Sequence, residues 1–84
     1  MHITLKLFAT LTDYFPAESR YTNIVELDVT EGTTIGDIIS QYQLPPKWVH
    51  LVLVNGSYIN PEDRATKRLI EDDVLAIWPP IAGG

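Results

Sequence analysis

Apolar and polar side chains alternate along residues 2–7, and the same alternation returns along residues 23–29. A period of two is typical of half-buried β-strands. Between these segments the apolar residues of Phe8–Phe15 have a helical spacing, and we expect Pro16 to end this short helix, with a polar loop over residues 16–22. The predicted inward-facing side chains of the two strands are Ile3, Leu5, Leu7, Val25, Leu27 and Val29.

The clearest helix signal begins at Thr34, which can cap a helix. Asp37 stands at the third helical position, as in a capping box with Asp in place of Glu. Four apolar side chains then follow the spacing of one helical face, namely Ile35, Ile38, Ile39 and Tyr42. We expect the double proline Pro45-Pro46 to end this helix. The pattern predicts one main helix that can lie on a sheet.

The second half of the chain has the features of three more strands. Leu51–Val54 is an aliphatic run that suits a central strand, and the Asn55-Gly56 pair predicts a tight hairpin into Ser57–Ile59. Asp73–Trp78 is predicted to be the last strand. In this order the elements predict an α+β fold, with one domain over residues 1–84 and a mixed sheet wrapped around the main helix.

The charged segment Glu62–Ile70 is predicted to be a loop or a single helical turn, anchored by Leu69 and Ile70. Its cations are expected to form a solvated face: Arg64, Lys67 and Arg68. Glu71–Asp73 is expected to be a solvated turn.

Composition narrows the function classes. The 84 residues carry a net charge of −5 without a basic run, so nucleic-acid binding is not expected. No apolar run approaches the roughly 20 residues of a membrane-spanning helix. There is no cysteine, and the first residues do not resemble a signal peptide, so we expect a cytoplasmic protein. His2 and His50 lack metal-ligand spacing, and no catalytic triad or phosphate loop is evident.

The final residues differ in character from the rest of the chain. They read Pro79-Pro80-Ile81-Ala82-Gly83-Gly84, which predicts an extended tail over residues 79–84. Five extended residues reach roughly 16 Å, enough to enter a narrow channel in another protein. A carboxylate at Gly84 suits adenylation and then attack by a sulfur nucleophile, which would leave a thiocarboxylate. The alternative is that the two glycines are simply a frayed end.

Four segments of the chain carry a family resemblance: Leu7–Leu11, Gly32–Asp37, Val54–Gly56 and Asp73–Gly84. In these segments the sequence resembles the MoaD/ThiS sulfur carriers, which have the ubiquitin-like β-grasp fold. The branch that it resembles most is the small subunit of molybdopterin synthase.

The resemblance implies a reaction cycle. A ubiquitin-activating-like adenylyltransferase would use ATP to adenylate Gly84, and a sulfur donor would convert the adenylate to a thiocarboxylate. The large subunit of molybdopterin synthase would receive the tail, and the sulfur would enter molybdopterin. The chain would bind no cofactor itself and would not be catalytic alone.

The resemblance also implies roles for particular residues. Gly84 would carry the acyl group, and Gly83 would keep the tail slim. The residues implied to contact the partner are Phe8, Trp78, Pro80, Ile81 and Ala82. The alternative for the two aromatic residues is an ordinary core position, which we favour for Phe8.

Some features depart from the family pattern. Asp72 stands where the family usually has a glycine, and we expect it to strain the turn before the last strand. The segment from Pro16 to Ile24 is longer than in the compact members of the family, and the helix after Asp37 is short. Because of these departures, the route stays open between molybdopterin and the related thiamine, cysteine and tungsten-cofactor routes. Two other functions also remain: a ubiquitin-like modifier conjugated to lysines through Gly84, and a β-grasp binding module that does not use its tail.

Overall fold

The computed structural model describes residues 1–80, which contain one sheet and one α-helix. The strands are β1 (His2–Leu7), β2 (Ile24–Asp28), β3 (Leu51–Val54), β4 (Ser57–Tyr58) and β5 (Val74–Trp78), and the helix is α1 (Ile35–Gln41). The strand order is β2-β1-β5-β3-β4. The β1–β5 pair is parallel and the other pairs are antiparallel. This mixed sheet with one main helix confirms the predicted α+β architecture.

Short 3₁₀ helices occupy parts of the connections. Within residues 1–80 they are Ala9–Tyr14, Ala17–Ser19, Pro46–Trp48 and Pro61–Asp63. The first of them is the short helix predicted before Pro16. No helix in the described part of the chain combines the length and the apolar character that crossing a bilayer requires.

The core lies between α1 and one face of the sheet. Alternate residues of β1 supply Ile3, Leu5 and Leu7, which are fully buried, as the period of two predicts. Leu75 and Ile77 of the central strand β5 join them. The other buried members of this cluster are Leu11, Phe15, Ile35, Ile38, Leu44, Val52, Val54 and Leu69.

The predicted capping box starts α1. The Asp37 backbone N–H donates to Thr34 Oγ1 at 3.1 Å, and the Thr34 N–H donates to Asp37 Oδ2 at 2.9 Å. These two bonds satisfy donors that have no partner inside the helix. The helix therefore begins where the sequence predicts.

The end of α1 differs from the prediction. The helix stops at Gln41, before the prolines, because Gln43 adopts a left-handed conformation with φ of 56°. The Gln43 N–H donates to Ser40 O, and the Leu44 N–H donates to Ile39 O. This is the hydrogen-bond pattern of a Schellman motif, with buried Leu44 as its apolar contact. Local backbone geometry, rather than Pro45-Pro46, ends the helix.

Two turns hold residues with positive φ. Asn55 and Gly56, at 51° and 84°, form the predicted hairpin turn between β3 and β4. Asp72 has φ of 67°, which is a left-handed conformation, so the strain expected there is present.

Three side chains in the charged region lie elsewhere than predicted. Ile70 is 66% exposed and is no anchor, because the neighbouring Leu69 takes the buried position. Arg64 is buried rather than solvated. Asp73 is also buried, where its carboxylate accepts hydrogen bonds from Asn55 Nδ2 and from the Ile70 N–H, each at 2.8 Å. The two buried charged side chains, Arg64 and Asp73, are both hydrogen-bonded, as is usual for buried polar groups.

Candidate docking site where the chain leaves the sheet

The chain leaves the sheet at the end of β5, and two backbone hydrogen bonds fix this point. The Phe8 N–H donates to Ile77 O at 3.2 Å, and the His50 N–H donates to Trp78 O at 3.0 Å. Pro79 and Pro80 follow, and neither has an N–H with which to continue the ladder. The tail therefore starts from a fixed point between β1 and β3.

Phe8 and Trp78 stack on each other beside this point. Their ring centroids are 3.9 Å apart and their planes differ by 4°. Both side chains are half-buried, and Phe8 is not among the buried core residues. The core position favoured for Phe8 is therefore wrong: Phe8 follows Leu7, which occupies the inward position at the end of β1.

Strand register extends this aromatic pair into an apolar patch on the face of the sheet opposite α1. Trp78 is paired with Leu51, and Ala76 is paired with Leu53. Leu53 is paired in turn with Tyr58, which is 52% exposed. We call these residues the outer-face patch: Phe8, Leu51, Leu53, Tyr58, Ala76 and Trp78. Its β3 members were missed in the sequence because the continuous apolar run Leu51–Val54 hides their alternation. Tyr58 was missed because its position beside Leu53 depends on the pairing of β3 with β4.

A second apolar surface, the chain-exit groove, lies beside the two prolines. It is lined by Ala9, Thr10, Leu11, Asp13, Tyr14, Trp48, Trp78, Pro79 and Pro80. Tyr14 and Trp48 are 38% and 41% exposed, and Lys47 Nζ lies 5.4 Å from the centre of the Trp48 ring. Nothing in the spacing of Trp48 marks it as a site residue, so only its exposure beside the prolines identifies it.

The predicted site residues divide into two groups. The structure brings Phe8, Trp78 and Pro80 together at the chain exit. Ile81, Ala82, Gly83 and Gly84 lie outside the described residues, so their predicted roles stay predictions.

Charged groups gather at the other end of the sheet, where β1 and β5 begin. His2 Nε2 lies 3.5 Å from Glu26 Oε1, and His2 Nδ1 lies 3.4 Å from Asp72 Oδ1. Ligand atoms of His2, Glu71 and Asp72 lie within 4.8 Å of one another. These side chains are solvated rather than enclosed, and the two carboxylates are exposed. The chain exit is thus apolar and the opposite end is acidic.

The hydroxyl of Tyr42, on the helix side of the fold, has a shifted pKa. Burial raises the pKa of Tyr42 above its ordinary value of 10.0, because ionisation is less favourable away from water. The ring lies edge-on to Phe15, with centroids 5.8 Å apart. Tyr42 therefore supports the core and is not part of the chain exit.

A comparison with known protein families matches residues 6–84 to the ThiS family. No match was found among curated proteins.

Solved structures of similar proteins match over nearly the whole chain. SAMP1, a small archaeal modifier protein of Haloferax volcanii, is 26% identical, covers 100% of both chains and has a TM-score of 0.66. A putative molybdopterin converting factor subunit 1 of Pyrococcus furiosus is 18% identical, with 96% and 99% coverage and a TM-score of 0.68.

A chain of the solved complex of subunits 1 and 2 of the molybdopterin-converting factor of Helicobacter pylori also matches. It is 16% identical, with 100% coverage of both chains and a TM-score of 0.60. At these identities the two molybdopterin-related structures show a shared fold. Together with SAMP1, they confirm the ubiquitin-like β-grasp fold.

Proposed function

This chain belongs to the ThiS family, and from that membership we propose that it is a sulfur carrier whose working group is the Gly84 carboxylate. The fold is that of MoaD/ThiS-like sulfur carriers and ubiquitin-like modifiers. The observation that carries the proposal is the chain exit, where exposed apolar surface lies on two sides of the starting point of the tail. A partner that takes the tail into its active site would have to contact this surface.

The proposed chemistry proceeds in two steps. The Gly84 carboxylate attacks the α-phosphorus of ATP on a ubiquitin-activating-like adenylyltransferase, forming the acyl-adenylate and releasing pyrophosphate. A sulfur donor at the oxidation level of sulfide then attacks the carbonyl carbon, and AMP leaves with the former carboxylate oxygen. The product is a thiocarboxylate on Gly84. The chain itself supplies no cofactor to either step.

We further propose that the acceptor is the large subunit of molybdopterin synthase, which would take the sulfur into molybdopterin. The Phe8-Ala9-Thr10-Leu11 segment and the fold shared with two molybdopterin converting factor subunits support this route. The outer-face patch would bind this partner, with Tyr58 and Trp78 as its aromatic anchors. Interfaces commonly depend on a few such aromatic residues.

A ubiquitin-like modifier is the second candidate, because SAMP1 is 26% identical over the whole chain. It would use the same adenylate but pass the acyl group to a lysine amine, forming an isopeptide bond. The two functions separate at this last step alone.

The test is an intact-mass measurement after incubation with the activating enzyme, ATP and sulfide. The starting mass first verifies that the chain ends at Gly84. We expect a gain equal to one oxygen replaced by one sulfur, and no gain when Gly84 is deleted. An unchanged mass with every activating enzyme of the source genome would contradict the proposal. Gly84 joined to lysines of cellular proteins, without thiocarboxylate, would instead establish the modifier.

Paired variants test the docking surface. Tyr58→Lys places a charge in the outer-face patch, whereas Ile70→Lys makes the same change at an exposed apolar residue near the other end of β5. Loss of an anchor costs about 2 kcal/mol, so we expect Tyr58→Lys to weaken binding to the large subunit roughly thirtyfold. Ile70→Lys should bind like the unchanged protein. Equal binding by both variants would place the interface elsewhere.

A further inference from the structure

Arg64 is a buried cation that neither the core nor the proposed chemistry explains. Its residue surface is 7% exposed. Its guanidinium donates to three backbone carbonyls: Nε to Ile59 O at 3.2 Å, Nη1 to Val49 O at 3.3 Å, and Nη2 to His50 O at 3.1 Å. Within residues 1–80, both ion pairs involve His2, so no carboxylate there neutralises Arg64.

This arrangement depends on the shape of arginine. Burying a charge is costly unless the group is well hydrogen-bonded. The rigid guanidinium fork reaches three carbonyls in fixed directions, whereas a lysine ammonium on its flexible stem cannot hold the same geometry. Arg64 thus ties the start of β3 to the segment after β4.

The segment that Arg64 holds is directly connected to the chain exit. The His50 carbonyl accepts from Arg64, and the His50 N–H donates to Trp78 O at 3.0 Å. Trp48, which lines the chain-exit groove, directly precedes Val49, whose carbonyl Arg64 also holds. A continuous set of hydrogen bonds therefore runs from Arg64 through His50 to the last residue of β5.

Backbone packing holds Arg64 itself in place. The Gly36 N–H, in the first turn of α1, donates to Arg64 O at 2.9 Å. A Cβ added at Gly36 would lie 3.1 Å from Ala65 Cα, so the helix and this segment are in close contact. The guanidinium therefore extends from a backbone that the helix supports.

We infer that Arg64 is a positioning residue for the tail: it holds Val49 and His50, and through them it sets the Trp78 carbonyl and the Trp48 side of the chain-exit groove. The effect on tail chemistry rests on the proposed function, whereas the effect on the exit geometry does not. Loss of Arg64 therefore loosens the exit beyond any general loss of stability.

Hydrogen exchange tests the geometry without any partner. In Arg64→Met, we expect protection of the His50 amide to fall about tenfold more than protection of the β1 amides, since its local hydrogen bonds are weakened. Leu27→Ala, a packing change in the edge strand β2, is the control, because it lowers stability far from Arg64 and its His50 amide should lose no more protection than its β1 amides. Arg64→Lys keeps the charge but not the fork, and it should give a smaller effect of the same kind.

Adenylation kinetics test the consequence for the tail. Arg64→Met should raise the KM of the activating enzyme for this protein while kcat stays unchanged, since a loosely held exit docks less well but reacts alike once bound. Leu27→Ala should leave both constants unchanged. If Arg64→Met does not fold, Arg64→Lys replaces it in both the hydrogen-exchange and the kinetic experiment.

The outcomes separate the two proposals. A His50 amide that loses no more protection than the β1 amides, in whichever Arg64 variant folds, overturns the inference. If the activating enzyme has the same KM for the Arg64 variant as for Leu27→Ala, the inferred link between Arg64 and the tail is overturned. An unchanged protein that no enzyme adenylates contradicts the proposed function, while hydrogen exchange still decides the role of Arg64.

Discussion

Replacing Asp73 tests how the start of β5 is held to the β3–β4 hairpin. Asp73 is 5% exposed, and each of its carboxylate oxygens accepts one hydrogen bond, from Asn55 Nδ2 and from the Ile70 N–H. Asn55 completes the connection, because its Oδ1 accepts from the Val74 N–H at 2.9 Å. Removing the carboxylate therefore leaves two donors, Asn55 Nδ2 and the Ile70 N–H, without the acceptor that they share at this partly buried site.

The size of the effect follows from these two bonds. A hydrogen bond to a charged acceptor contributes about 1.5–3 kcal/mol, and relaxation recovers part of the loss. We expect Asp73→Ala to lower the free energy of unfolding by about 3 kcal/mol, which lowers Tm by roughly 12–24 °C in a domain of this size. Asp73→Asn should cost nearly as much, because its amide NH₂ would face one of the two donors.

Urea unfolding followed by tryptophan fluorescence measures these differences, with the slope expected to stay unchanged. Asp72→Asn is the matched control, because it makes the same chemical change at the adjacent, exposed residue. It should alter stability by less than about 0.5 kcal/mol. The reasoning is refuted if Asp73→Asn is as stable as the unchanged protein, or if Asp72→Asn is equally destabilising.

Three further predictions concern local features. Asp72→Gly should raise the free energy of unfolding by about 0.5–1 kcal/mol in urea unfolding, because glycine tolerates the left-handed φ of 67°. Thr34→Ala should lower the free energy of unfolding by about 1 kcal/mol, because it removes the side-chain cap of α1, whereas Thr34→Ser should retain most of this stabilisation. Burial raises the pKa of Tyr42, so the folded state holds this proton more tightly than the unfolded chain does. The contribution of Tyr42 to the free energy of unfolding should therefore be fully present below the unfolded pKa of 10.0 and be lost as pH rises through the raised folded pKa. The free energy of unfolding of Tyr42→Phe should fall less steeply over the same pH range.

Features encoded by neighbouring residues could be predicted from the sequence. The strand alternation around Leu5, the Thr34 capping box and the Asn55-Gly56 turn depend on spacings of a few residues, and the structure confirms each of them. The predicted end of α1 was wrong because a left-handed Gln43 is energetically accessible yet has no strong local signature.

The errors in the charged region have another cause. Arg64 and Asp73 look like solvated charges when only their neighbours in sequence are considered. Their partners are backbone and side-chain groups that include Val49, His50 and Asn55, which are 14 to 18 residues away. Burial of a charge depends on such distant acceptors and donors, so local pattern could not predict it.

The candidate site likewise contains some residues that local sequence predicts and others that only long-range contacts bring to it. Sequence alone marked Phe8, Trp78 and Pro80, and it determined the strands, the main helix and the family resemblance, because these depend on local periodicity and short motifs. Only the tertiary structure placed Trp48 beside the chain exit, brought Tyr58 opposite Leu53 in the outer-face patch, and connected Arg64 to Trp78 through His50. Those relations join residues from separate strands and loops, and they arise only when the sheet register and the packing of α1 bring these segments together.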